Sequence, residues 1–123
     1  MTATNDGRYL FTSDEGGELK QWDIEQQKLK KDYGQIHSGG ISSITATNDS
    51  RYLFTSDDGG CLKQWYIEQQ KLMKDFGIIH SGQIYSITAT HDGRYLYTSD
   101  RHGYLKQWDI EQQKLMKDFG RYI

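Results

Sequence analysis

The chain has 123 residues, 35% of them hydrophobic and 26% charged, with 15 Lys and Arg set against 17 Asp and Glu. A formal charge of −2 supplies no field that would gather a polyanion, so no nucleic-acid partner is expected. With a mean hydropathy of −0.84, no apolar stretch approaches the roughly 18 residues of a membrane span, and no membrane partner is expected either.

Nine Tyr, three Trp and four Phe offset the thin aliphatic content with large half-polar side chains that suit β-structure. Thirteen Gly and no Pro leave the turns to Gly, Asp, Asn and Ser. The lone Cys61 cannot form an internal disulfide, and no charged-then-apolar leader opens the sequence. The expectation is a cytoplasmic protein with no cofactor.

The hexapeptide LKQW-x-Ile occurs at 19–24, 62–67 and 105–110, placing Trp22, Trp65 and Trp108 at a period of 43 residues. The TAT triplets opened by Thr2, Thr45 and Thr88, and the EQQKL runs opened by Glu25, Glu68 and Glu111, keep the same period. Tandem repetition is the organising fact of the chain.

The third unit displays the elements in order. After His80-Ser81-Gly82, the β-branched alternation of 83–90 reads as a strand. His91-Asp92-Gly93 signals a tight turn, and 94–100 follows as a second strand. Arg101-His102-Gly103 turns the chain again, and 104–110 makes a third. The last segment, 111–120, contains good helix formers but is short for a free helix. A turn at Glu111-Gln112-Gln113 with a fourth strand over 114–119 is favoured over the helix, because three short strands with Gly turns call for a fourth of like length.

Four strands in 43 residues, with Trp-Asp near the end of the third, resembles a WD-repeat β-propeller blade. The resemblance implies an all-β propeller of three four-stranded antiparallel blades per chain: 1–34 with a truncated inner strand, 35–77 and 78–123. It also implies that His37 and His80 match the family's Gly-His pair and that Trp22, Trp65 and Trp108 match its tryptophan, all in structural roles. Two departures stand out. Ile36 and Ile79 replace the glycine, and Gly16, Gly59 and His102 replace the Asp six residues before the Trp. The family's His-Ser/Thr-Asp-Trp relay therefore lacks its aspartate at the usual place. Asp14, Asp57 and Asp100, two positions earlier, are the candidate substitutes.

Three blades in an open stack would leave two apolar faces in water. Propellers close at four or more blades, so the sequence implies a ring closed by copies of itself: nine blades as a trimer, or six as a dimer. A seven-bladed ring has a wedge of about 51° per blade, against about 40° for nine and about 60° for six. Nine is favoured, because squeezing the inner strands would collide Ile41, Ile84 and Tyr85, whereas widening the ring enlarges a wet channel. Three full periods would need six more residues than the chain has, with Met1 in the column of Ile44 and Ile87, and Ile123 in that of His37 and His80. The expectation is a segment excised or engineered from a longer array.

Candidate chemistry is sparse. His37, His80, His91 and His102 lack ligand spacing, so no metal is expected. Ser13-Asp14, Ser56-Asp57 and Ser99-Asp100 have no neighbouring base, as ordinary turns do, and no catalytic residue is assigned. The alternative is a ring of these aspartates holding a cation or ligand near the axis. Lys20, Lys63, Lys106, Arg8, Arg51 and Arg94 read as solvated mixed-sign faces, and Cys61 as exposed and inert. Differences between repeats gather in two loop sets, which the propeller resemblance places on one face, and this makes Asp58, Gln83, Arg101 and His102 the candidate partner-facing residues. The expected function is a non-enzymatic, self-assembling scaffold with generic protein-binding potential.

Overall fold

In the computed structural model, which describes residues 1–122, the β-branched and aromatic runs form twelve strands bounded by the Gly, Asp and Asn turns. The first blade holds β1 (Thr2–Ala3), β2 (Tyr9–Ser13), β3 (Glu18–Asp23) and β4 (Lys28–Gln35). The second holds β5 (Ile41–Ala46), β6 (Tyr52–Asp57), β7 (Cys61–Tyr66) and β8 (Lys71–Ile78). The third holds β9 (Ile84–Ala89), β10 (Tyr95–Asp100), β11 (Tyr104–Asp109) and β12 (Lys114–Arg121). Each blade is an antiparallel meander in chain order, and β1, β5 and β9 lie side by side as the inner strands.

The segment expected as a turn and a fourth strand rather than a helix is a strand in every blade. Cross-strand pairing to β3, β7 and β11 overrides the helix propensity of its Glu, Gln, Lys and Leu residues. β12 continues past Phe119 because Gly120, at φ 73°, takes the left-handed conformation of a bulge and lets Leu105 pair with it and Tyr104 with Arg121. Before each of these strands, Gln27, Gln70 and Gln113 turn the chain at φ 56°, 57° and 58°. The Asp of Trp-Asp stabilises this turn: Asp23 accepts from the Gln26 amide at 2.9 Å, and Asp109 from that of Gln112 at 2.8 Å. Tyr66, in the same column, offers no such acceptor.

The core lies between blades. At the first seam Phe11, Leu19 and Ile36 meet Leu53, Trp65 and Ile67, all at or below 9% exposure. At the second, Phe54, Leu62 and Ile79 meet Leu96, Trp108 and Ile110, again at or below 9%. These are the same sequence columns one period apart. At the two ends of the stack the columns lose their cover: Ile24 is 42% exposed and Tyr122 69%, while Leu10, Trp22, Tyr97 and Leu105 are only half-buried.

Candidate functional site

Each seam is tied by a chain of hydrogen bonds that crosses from one blade to the next. Trp65 Nε1 donates to Thr55 Oγ1 at 3.0 Å, and His37 Nε2 lies 2.8 Å from the same hydroxyl. His37 Nδ1 is 3.0 Å from Asp57 Oδ2, and both side chains are almost wholly buried. A carboxylate only accepts, so Nδ1 carries the imidazole proton; Nε2 then accepts from the threonine hydroxyl, which accepts from the indole. The third blade repeats the chain with Trp108, Thr98, His80 and Asp100 at 3.0, 2.8 and 2.9 Å.

The aspartate serves from two positions before the family's usual place because it ends a strand. Asp57 Oδ1 accepts from the Gly59 and Cys61 amides at 3.0 and 2.8 Å, which fixes the turn and aims Oδ2 at the histidine. Asp100 does the same with His102 and Tyr104 at 2.9 and 3.1 Å. Burial pushes both imidazoles below their ordinary pKa, against the opposing pull of Asp57 and Asp100, and Lys63 and Lys106 add to the lowering. Burial works to raise the Asp100 carboxyl, but the Tyr104 and His102 amides and His80 outweigh it and hold it below its usual value.

In the first blade Trp22 Nε1 donates to Thr12 Oγ1 at 2.9 Å, and Asp14 Oδ1 accepts from Gly16 and Glu18 at 2.9 and 3.0 Å. No imidazole among the described residues stands between Thr12 and Asp14, and Asp14 is exposed.

Three sequence readings need correction. Asp57 and Asp100 are not free to hold a cation or ligand, because both carboxylate oxygens of each are committed to histidine and amides, whereas exposed Asp14 accepts through Oδ1 alone. Among the described residues no group of three or more His, Cys, Asp or Glu is placed to hold a metal. Lys63 and Lys106 are not solvated: half-buried, each donates from Nζ across its seam, to the Ile36 and Ile79 carbonyls. Cys61 is half-buried rather than exposed, and burial raises its thiol pKa. Arg8, Arg51 and Arg94 do lie on the surface, 4.9, 5.0 and 5.1 Å over the rings of Tyr9, Tyr52 and Tyr95, the residues that follow them in sequence.

Of the candidate partner-facing residues, Asp58, Arg101 and His102 are exposed and Gln83 half-buried. The two loop sets meet on one face: the Arg101 amide donates to the Gln83 carbonyl at 2.9 Å, and the Asp58 amide to that of Gly40 at 3.0 Å. Thr55 and Thr98, which the sequence reading did not single out, each stand two residues before their aspartate.

Antiparallel four-stranded sheets stacked face to face on a Trp-Thr-His-Asp seam define a β-propeller segment. The family described as "WD domain, G-beta repeat" matches residues 28–66 and 74–109, and the chain belongs to it. Each match runs from an outer strand through the inner three strands of the next blade, so the family unit straddles a seam. A crystal structure of RRP9 WD40 repeats superposes with TM-score 0.89 at 15% identity, over 94% of this chain and 36% of that one. A structure of U3-55K gives 0.89 at 15%, over 98% and 38%. The chain thus spans well under half the length of these structures, which share its fold. No curated protein matches it. Among the described residues no helix is long and apolar enough to cross a membrane.

Proposed function

We propose that this chain is a self-assembling propeller unit, a non-enzymatic scaffold in which three copies close a nine-bladed ring. The ring presents the loop face carrying Asp58, Arg101, His102 and Gln83 to protein partners. One observation carries the reading: residue columns at or below 9% exposure at both internal seams, such as those of Ile67 and Ile110, are uncovered at the ends, where Ile24 is 42% exposed. Trp, Leu and Ile surfaces of this size are unfavourable in water and are covered by a matching face. That face exists on the opposite end of another copy. The committed carboxylates and the absence of an unused acid-base pair in the seams favour a scaffold over catalysis.

Native mass spectrometry across a dilution series tests it. A single species at three times 14.3 kDa is expected. A species at twice that mass would replace the nine-bladed ring with a six-bladed one, and a stable monomer would overturn self-assembly.

A further inference from the structure

We propose that a short acidic peptide binds across the third blade on the loop face, with a carboxylate on Arg101 and apolar side chains against Tyr85 and Tyr104; this rests on the reading that the loop face meets protein partners.

The EQQKL turns, which an antiparallel meander places at the end of each blade away from this face, are the same in all three blades. On the loop face the blades differ in charge. The turn after the second strand carries exposed Asp14, Glu15 and Glu18 in the first blade and exposed Asp58 in the second. In the third blade the columns of Glu15 and Glu18 hold Arg101 and Tyr104, and that of Gly16 holds His102. Acid thus gives way to a guanidinium, an imidazole and a phenol. Among the described residues the ion pairs join Arg8 to Glu68, His37 to Asp57 and His80 to Asp100, so the exposed Arg101 guanidinium has no carboxylate of its own.

Tyr85 reaches the same face through a bulge. Ser99 pairs with Ser86 and Asp100 with Ile84, so Tyr85 is the extra residue and stands in solvent at 61% exposure. The matching bulge in β5 leaves out Ser42, whose hydroxyl lies 3.4 Å from that of Ser56 in its own blade. One column therefore holds a serine bonded within the second blade and a displayed aromatic ring in the third.

These groups are held in place before any partner arrives. Asp100 Oδ1 accepts from the His102 and Tyr104 amides at 2.9 and 3.1 Å. The Arg101 amide donates to the Gln83 carbonyl at 2.9 Å, which ties the turn to the chain two residues before Tyr85. A Cβ on Gly82 would stand 3.1 Å from the His102 ring, so the imidazole lies close against the blade connection. A surface fixed in this way loses little conformational freedom on binding. Exposed tyrosines beside an arginine are the residue types that anchor protein partners, and the unpaired positive charge selects a carboxylate. The neighbouring blades limit its length: a long polyanion would run on over Asp58 or Glu15 and be repelled, whereas a peptide confined to one blade is not.

Fluorescence anisotropy tests this with an end-blocked peptide of alternating Glu and Leu, about eight residues long. The comparisons are the same peptide with Gln or Lys in place of Glu, and a single-stranded RNA of matched length. At low salt the Glu peptide is expected to bind about fivefold more tightly than the Gln peptide, the difference shrinking as salt is raised. Arg101→Glu should abolish that preference. Tyr85→Ser, which installs the second blade's residue, should weaken the Glu peptide about fivefold or more. Both positions are exposed, and unchanged urea midpoints would confirm that the variants are folded. Ser42→Tyr combined with Asp58→Arg copies the site into the second blade and should add a second bound peptide per chain. No binding of the Glu peptide, a preference for the Lys peptide, or tighter binding of the RNA would overturn the acidic partner. Where the Lys or Gln peptide binds and still depends on Asp58, Gln83 or His102, the loop-face reading survives that loss; binding indifferent to every loop-face substitution would overturn both.

Discussion

The Tyr33 hydroxyl donates to Gln21 Oε1 at 2.8 Å, whereas Phe76, in the same column one period on, leaves the buried Gln64 amide with neither oxygen nor nitrogen partnered. Burial, with Tyr9 nearby, pushes the Tyr33 phenol up to about 12, so it stays a donor at any ordinary pH. Phe76 already sits edge to face on Trp108 much as Tyr33 does on Trp65. Phe76→Tyr is therefore expected to satisfy Gln64 and stabilise the fold by about 1 kcal/mol, read as a higher urea midpoint. Phe119→Tyr should gain less, because Gln107, in the column of Gln21 and Gln64, is only half-buried.

Asp57 and Asp58 are neighbours in sequence with opposite surroundings. The first is 2% exposed and bonded to His37 and two amides; the second lies in solvent. Asp57→Ala should cost about 2 to 4 kcal/mol, since it strands a buried imidazole and two amides. Asp58→Ala should stay within about 0.5 kcal/mol. Equal, small losses in chemical denaturation would remove the relay from the list of things that hold the seam.

Acid should weaken the fold in a window set by the two seam histidines. Their folded pKa values lie below the ordinary 6.5, with burial the main cause. Above about pH 6.5 both folded and unfolded chains carry neutral imidazole and there is no contribution. As the pH falls below that value, the unfolded chain takes up protons that the folded one refuses, so stability declines. Asp100, held below its ordinary 3.8, adds a second loss only as the pH falls through that region and below. Urea midpoints at fixed protein concentration between pH 7.5 and 5 should decrease; a flat profile would contradict neutral buried histidines.

Two glycines with similar backbones should respond differently to alanine. Gly60 has φ 88° and a Cβ there would meet the His80 carbonyl oxygen at 2.0 Å, while Gly77 has φ 70° and nothing within 4 Å. Gly77→Ala carries only the left-handed strain of about 1 to 2 kcal/mol. Gly60→Ala must also displace the blade connection that brings His80 into place, and is expected to cost clearly more in thermal unfolding. Similar losses for the two would show that the connection yields easily.

Period, strand order and the blade itself were legible in the sequence, because each depends on neighbours along the chain: TAT alternation, Gly-centred turns and LKQW recurring every 43 residues. Tertiary structure alone decided what meets across the seams. EQQKLMKD has the residues of a helix, and only pairing with the preceding strand makes it extended. Asp57 reads as accepting either from turn amides or from the histidine, and only the folded chain shows it doing both, with His37 twenty residues away. Lys63 looks solvated until a carbonyl of the adjacent connection closes over it. Local propensity and periodicity are properties of a stretch of chain, whereas burial and hydrogen-bond partnership across a seam are properties of two surfaces brought together.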